Sequence, residues 1–148
     1  MITFKTLEIS DIDIITVMME DFYAIDNYPI EAQATKKMFQ EFISNENFGK
    51  AWLIYADNKI AGYVILTYIF SFEYGGKIAF VDELFIKESA RGKGIGKHTI
   101  QFIQQESLKL SLKLLYLEVE HHNQNAQKLY LANGFEVHNR KILKYKPY

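Results

Sequence analysis

Six residues, Arg91-Gly92-Lys93-Gly94-Ile95-Gly96, carry the clearest chemistry in this sequence. They follow the apolar run from Ile78 to Ile86 and precede a helical pattern from Lys97 to Leu110. A strand, a glycine-rich turn and a helix in that order make a place for an anion. The first turn of a helix leaves backbone N–H groups without intrahelical partners, and the helix dipole puts partial positive charge there. Gly92, Gly94 and Gly96 keep side chains away from those amides. Arg91, Lys93 and Lys97 add full positive charges. The implied ligand is a phosphorylated cofactor held mostly by backbone.

Spacing narrows the choice. A P-loop needs Gly, four residues, then Gly-Lys-Ser/Thr. Here Gly96-Lys97 is followed by His98, and the earlier glycine position holds Arg91. A dinucleotide fingerprint needs G-x-G-x-x-G, whereas Gly92, Gly94 and Gly96 are spaced G-x-G-x-G. Downstream, the apolar run Leu114 to Val119 reads as a buried strand. After it come Asn123, Ala126, Tyr130, Gly134 and Phe135. Asn123 can cap a helix and Gly134 suits its C-terminus. Ala126 and Tyr130 are four apart and share one face.

Arg91-x-x-Gly94-x-Gly96 resembles the pyrophosphate loop of the GNAT superfamily of N-acetyltransferases, which bind acetyl-coenzyme A (acetyl-CoA). Asn123-x-x-Ala126-x-x-x-Tyr130-x-x-x-Gly134-Phe135 resembles the second motif of that superfamily. The resemblance covers about Ile78 to Phe135. It implies an α/β fold of the GNAT type: a mixed central sheet, helices on both faces, and strands at 78–86 and 114–119 that splay apart. The pantetheine arm would enter that wedge and pair with the backbone of Leu84, Phe85 and Ile86. Cofactor contacts would come from Arg91, Gly92, Lys93, Gly94, Ile95, Gly96, Lys97, Asn123, Ala126 and Tyr130. The implied activity is direct transfer of an acetyl group to a primary amine, without a covalent enzyme intermediate.

That reaction sets three tasks. A lysine-like amine, with a pKa of about 10.4, must lose a proton. The oxyanion needs a preplaced donor, for which a backbone N–H at 84–86 is the candidate. The departing thiolate needs a proton or a strong hydrogen bond, for which Tyr130 is the candidate. Tyr130 would serve as a hydrogen-bond donor, or as an acid with a lowered pKa. For the base there are Asp82 and Glu83. In a regular strand they face opposite sides of the sheet, unless a bulge intervenes. Val81 to Ile86 resembles the Glu-Asp-Leu-Phe-Val stretch of diamine acetyltransferases with its acids swapped. Matching by distance to Arg91 puts Asp82 at that family's glutamate. Glu83 is the longer side chain, and Glu118 is a third candidate. Both 82–83 carboxylates could instead hold the charged amine while water removes the proton.

Aromatic rings mixed with carboxylates suit a cationic amine. Asp26, Tyr28, Phe72 and Glu73 are the candidate acceptor contacts, and a small cationic amine is the expected acceptor. A protein lysine or N-terminus is the alternative, as is a non-catalytic acyl-CoA sensor. A third possibility is an interaction protein whose loop binds any phosphate.

Composition bounds the rest. The chain has 148 residues and a net charge of −1, which fits one domain over 1–148 and argues against a nucleic-acid partner. It has no cysteine, which excludes a cysteine acyl intermediate and a thiolate metal site. His121 and His122 are adjacent and cannot chelate as a helical i, i+4 pair, so no metal is expected. The N-terminal residues 1–11 hold no apolar stretch of signal-peptide length and no segment approaches a membrane span, so a cytoplasmic location and no membrane partner are expected. An exposed C-terminal β edge would suit a homodimer.

The element order is mixed α/β. Strands are expected at 2–7, 51–56, 60–70, 78–86 and 114–119, with closing β segments at 135–137 and 141–145. Helices are expected after Ser10 (a cap, with Asp13 at the capping-box position), from Pro29 as a first helical residue, at 94–110 and near 124–132.

Overall fold

The computed structural model describes residues 1–148. The chain forms two compact units, 1–118 and 119–148. The first holds β1 (Ile2–Thr6), α1 (Ile12–Ile25), α2 (Ala32–Ser44), β2 (Gly49–Ala56), β3 (Lys59–Ser71), β4 (Gly76–Ile86), α3 (Ile95–Lys109) and β5 (Leu115–Leu117). The second holds α4 (Gln124–Ala132). Single 3-10 turns, Ile9–Asp11 and Glu88–Ala90, lie before α1 and before the glycine loop.

The five strands lie side by side in chain order. The first four form an antiparallel meander, and β5 pairs parallel to β4. A parallel neighbour requires a crossover, which α3 supplies. Both faces of the sheet are covered, and this explains why β3 is apolar without alternation from Ala61 to Leu66. On one face Ile12, Ile15, Met18 and Met19 of α1 and Phe39 of α2 pack on Leu53, Tyr63, Ile65 and Phe85. On the other, Ile103 of α3 packs on Trp52, Val64, Leu66 and Val81. There Phe102 stacks on Phe4 at 3.9 Å and meets Trp52 edge-on at 5.3 Å.

Three local expectations need correction. The capping box before α1 is Glu8 with Asp11, not Ser10 with Asp13. Asp11 accepts from the Glu8 amide at 3.0 Å, and Lys5, six residues back on β1, donates to both of its carboxylate oxygens at 2.9 Å. Pro29 is not the first residue of α2. Glu31 caps that helix, accepting from the amides of Gln33 and Ala34 at 3.1 and 2.7 Å. The segments at 135–137 and 141–145 form no strand. Val137, Ile142, Leu143 and Tyr145 there are largely exposed. Alternating residues make a strand only when a neighbouring strand pairs the backbone and one side is buried.

β3 and β4 approach closely at Gly62. A Cβ there would meet the carbonyl oxygen of Phe85 at 2.0 Å. Gly62→Ala is therefore expected to lower stability by about 2 kcal/mol through overpacking. A lower midpoint in chemical unfolding would register it.

Candidate active site

The strand that carries Asp82 and Glu83 is interrupted between them and Val81. Glu83 pairs with Ile65 and Val81 with Leu66, so Asp82 is an extra residue with no partner on β3. This is a β-bulge. In an unbroken strand residues 79, 81, 83 and 85 would share a face. Instead Ala79 and Val81 pack toward α3, while Phe85 packs toward α1 and α2. The bulge thus turns Glu83 out of the α3 core and onto the α1 side.

On that side Glu83 is held by two phenols. The Tyr23 hydroxyl donates to Glu83 Oε2 at 2.6 Å, and the Tyr63 hydroxyl donates to Oε1 at 2.7 Å. Tyr23 comes from the last two turns of α1, and Tyr63 from β3. Phe22 packs beside them, 5.3 Å from Phe85 and 6.4 Å from Tyr63. Burial raises the Glu83 carboxyl above its ordinary pKa, the two phenol hydrogen bonds pull it down, and the charge of Asp82 adds to the rise. Burial also raises the Asp82 carboxyl, though that residue is exposed at the surface overall, and Glu118 adds to the rise. Burial, then the hydrogen bond to Glu83, holds Tyr23 in its phenol form, and burial with the Glu83 charge does the same for Tyr63. The cluster is a proton acceptor with raised affinity for a proton, set beside two further carboxylates.

Past the bulge, β4 has an open edge. Pairing with β5 stops at Val81 and Leu117, whereas β4 runs on to Ile86. β5 itself ends at Leu117, shorter than the expected strand at 114–119. The Lys87 amide donates to the Ala61 carbonyl at 2.8 Å, so by antiparallel alternation Phe85 bonds toward β3. Leu84 and Ile86 therefore turn their amides and carbonyls to the open edge. Arg91 Nε already donates to the Ile86 carbonyl there, at 3.0 Å.

The glycine loop follows. Gly92 and Gly94 have φ of 77° and 76°, the left-handed region that glycine enters at no cost. Gly94 is the N-cap of α3 and, having no side chain, leaves the first amides of the helix uncapped. A Cβ at Gly92 would meet nothing within 4 Å, so the loop is open to solvent. Arg91, Lys93 and Lys97 are exposed around it, and Ile95 is buried beneath, anchoring the turn against Ile54 and Ala61. The His98 ring nitrogen Nδ1 lies 2.8 Å from the Gly94 carbonyl. These features suit a diphosphate: bare amides, local positive charge and room.

In the second unit, Asn123 caps α4 by accepting from the Ala126 amide at 3.2 Å. Gly134 has φ of 93°, as a helix C-terminus requires. Tyr130 packs edge-on against Phe135 at 5.6 Å, and burial raises its phenol pKa.

The acceptor candidates divide. Asp26 is the residue after α1, one turn beyond Tyr23, and the Tyr28 amide donates to the Tyr23 carbonyl at 3.0 Å. Both follow closely on Tyr23 in the chain. Phe72 and Glu73 lie at the tip of the β3–β4 hairpin, which closes at Ser71 and Gly76. The seven strand steps from Gly76 to Glu83 amount to roughly 20 Å at about 3.3 Å per residue. They are far from the carboxylates along the strand. Tyr63 had no sequence signal of its own; an aromatic in a buried apolar strand reads as core.

Residues 13–135 match the acetyltransferase (GNAT) family, and the chain belongs to that family. It is 33% identical over 92 residues to the uncharacterized N-acetyltransferase YhfO of Bacillus subtilis, an alignment spanning 62% of each chain. Among solved structures, an integron cassette protein from the mobile metagenome of Cole Harbour Salt Marsh matches with a TM-score of 0.88 at 30% identity, covering 98% of this chain and 90% of that one. A predicted acetyltransferase from Clostridium acetobutylicum, solved with acetyl-CoA, matches with a TM-score of 0.80 at 12% identity, covering 98% and 96%. At that identity the likeness is one of fold. No helix in the chain is long and apolar enough to cross a membrane.

Proposed function

We propose that this chain is an acetyl-CoA-dependent N-acetyltransferase acting on a primary amine, with a small cationic amine as acceptor. The observation that carries this reading is the track along β4. The uncapped start of α3 lies at one end, the open edge at Leu84 and Ile86 follows, and the Glu83 carboxylate stands past it. The acetyl-CoA held by the Clostridium acetobutylicum neighbour supports the choice of cosubstrate.

The bound cosubstrate supplies the activated thioester. The amides of residues 94–97, with Arg91, Lys93 and Lys97, hold its diphosphate. The outward amide of Leu84 or Ile86 is the oxyanion donor, which narrows the earlier three-residue segment to two. Glu83 takes the proton from the amine. Asp82, Glu118 and Asp26 attract the cation before it is deprotonated, and Tyr28 offers it a ring face. Tyr130 is assigned to the departing sulfur, and Asn123 and Ala126 to the cofactor side of α4, from the second family motif. The two units serve as one acetyltransferase domain in this reading.

Calorimetry with acetyl-CoA, followed by thiol release across a panel of diamines, amino acids, aminoglycosides and lysine peptides, tests it. Binding and release with a small amine are expected. Binding without release from any amine would leave an acyl-CoA sensor, and no binding would overturn the reading. Gly94→Ala probes the loop separately. A side chain held at φ 76° costs about 1–2 kcal/mol. The variant is expected to bind acetyl-CoA about 10-fold more weakly, with the acceptor KM little changed.

A further inference from the structure

We propose that Tyr23 and Tyr63 are positioning residues for the base: donating to both oxygens of Glu83, they hold its carboxylate ionised and aimed, and so set the lowest pH at which it can accept the proton of the amine. This rests on the assignment of Glu83 as the base.

The geometry is specific. Each carboxylate oxygen receives its own phenol donor, Oε2 from Tyr23 and Oε1 from Tyr63. An ionised carboxylate accepts at both oxygens, whereas a protonated one must donate from one of them. Two donors therefore favour the charged form. No cationic side chain forms an ion pair with Glu83. The phenols are what supports a negative charge that burial and Asp82 oppose. The groups facing it are Tyr23 from α1, Tyr63 from β3 and Asp82 from its own strand, with Glu118 acting on Asp82. Tyr63 is fully buried and Tyr23 partly exposed, so the inner phenol fixes the carboxylate and the outer one borders the acceptor side. In the reaction an N–H bond of the ammonium breaks and an O–H bond forms on Glu83. The freed nitrogen pair attacks the thioester carbonyl; the C–N bond forms, the C–S bond breaks, the second surplus proton on nitrogen passes to the departing sulfur, and the proton on Glu83 later leaves to solvent.

The test compares the parent with Tyr23→Phe, Tyr63→Phe and the double variant. The first readout is kcat/KM against pH for a short primary diamine at saturating acetyl-CoA. Without a donor the acidic limb moves to higher pH, by about one unit for each phenol removed, so activity losses concentrate at low pH. The second readout is the carboxyl-carbon NMR titration of Glu83 without substrates, its signal assigned by its absence in Glu83→Gln. The same upward shift is expected there. A titration midpoint unmoved in both single variants would overturn the proposal, as would a uniform loss of kcat with an unmoved limb. A midpoint that moves in protein that acetylates no amine would uphold the clamp and overturn the assigned reaction. Tyr23→Phe alters a partly exposed position and keeps the test available should the buried variant not fold.

Discussion

Glu83→Gln is expected to lower kcat/KM for acetyl transfer by at least about 100-fold, the lower end of what a positioned base contributes. Gln keeps the size of the side chain and loses the ability to take a proton. Its amide also donates at one atom, so one of the two phenols must turn and accept. Tyr23, the partly exposed partner, has the freedom to do so. The fold should not suffer at neutral pH. The Glu83 carboxyl is raised in the folded chain. A raised group favours folding when protonated, and that advantage is lost as pH climbs through the folded pKa. Ionised Glu83 thus works against stability at neutral pH, and the amide removes that cost. Thermal unfolding of Glu83→Gln at neutral pH should therefore match or exceed the parent, with the two converging below the ordinary carboxylate range. Parent-like turnover in the variant would move the base to Asp82 or to water. Asp82→Asn is the control, with the smaller effect expected, because the Asp82 carboxyl lacks the two phenol donors that hold Glu83.

Tyr130→Phe is expected to lower kcat by about 100-fold, in the range seen for loss of one hydrogen-bond donor to developing charge, while the Kd for acetyl-CoA stays within a few-fold. Two roles stood open for this phenol: a hydrogen-bond donor, or an acid with a lowered pKa. Burial raises its pKa instead. An unshifted phenol giving its proton to a thiolate already runs uphill by about 2 kcal/mol, and the rise steepens that. For the reaction proposed above, that leaves donation without transfer. The pH profile should accordingly carry no basic limb from Tyr130 below about 10. Stopped-flow thiol release together with calorimetry separates the two quantities. A fall in binding equal to the fall in kcat would make Tyr130 a cofactor contact only.

Short-range chemistry was readable from residue order alone. The left-handed glycines of the loop, the Asn123 cap and Gly134 at the end of α4 depend on backbone freedom and on partners within a few residues. The strand–turn–helix order and the family motifs followed from the same local patterns, and the match over 13–135 agrees with them. The site needed more. Asp82 and Glu83 were visible as a pair, but alternation alone sends them to opposite faces. The bulge that brings both to the α1 side depends on the register with β3. Tyr23 and Tyr63 stand 60 and 20 positions from Glu83, a pairing that appears only once α1 has been laid across the sheet. Local sequence determined where the backbone could turn and expose its amides, because those energies act over a few bonds. Packing of elements distant in the chain decided which carboxylate is buried, which phenols hold it, and hence where a proton can go.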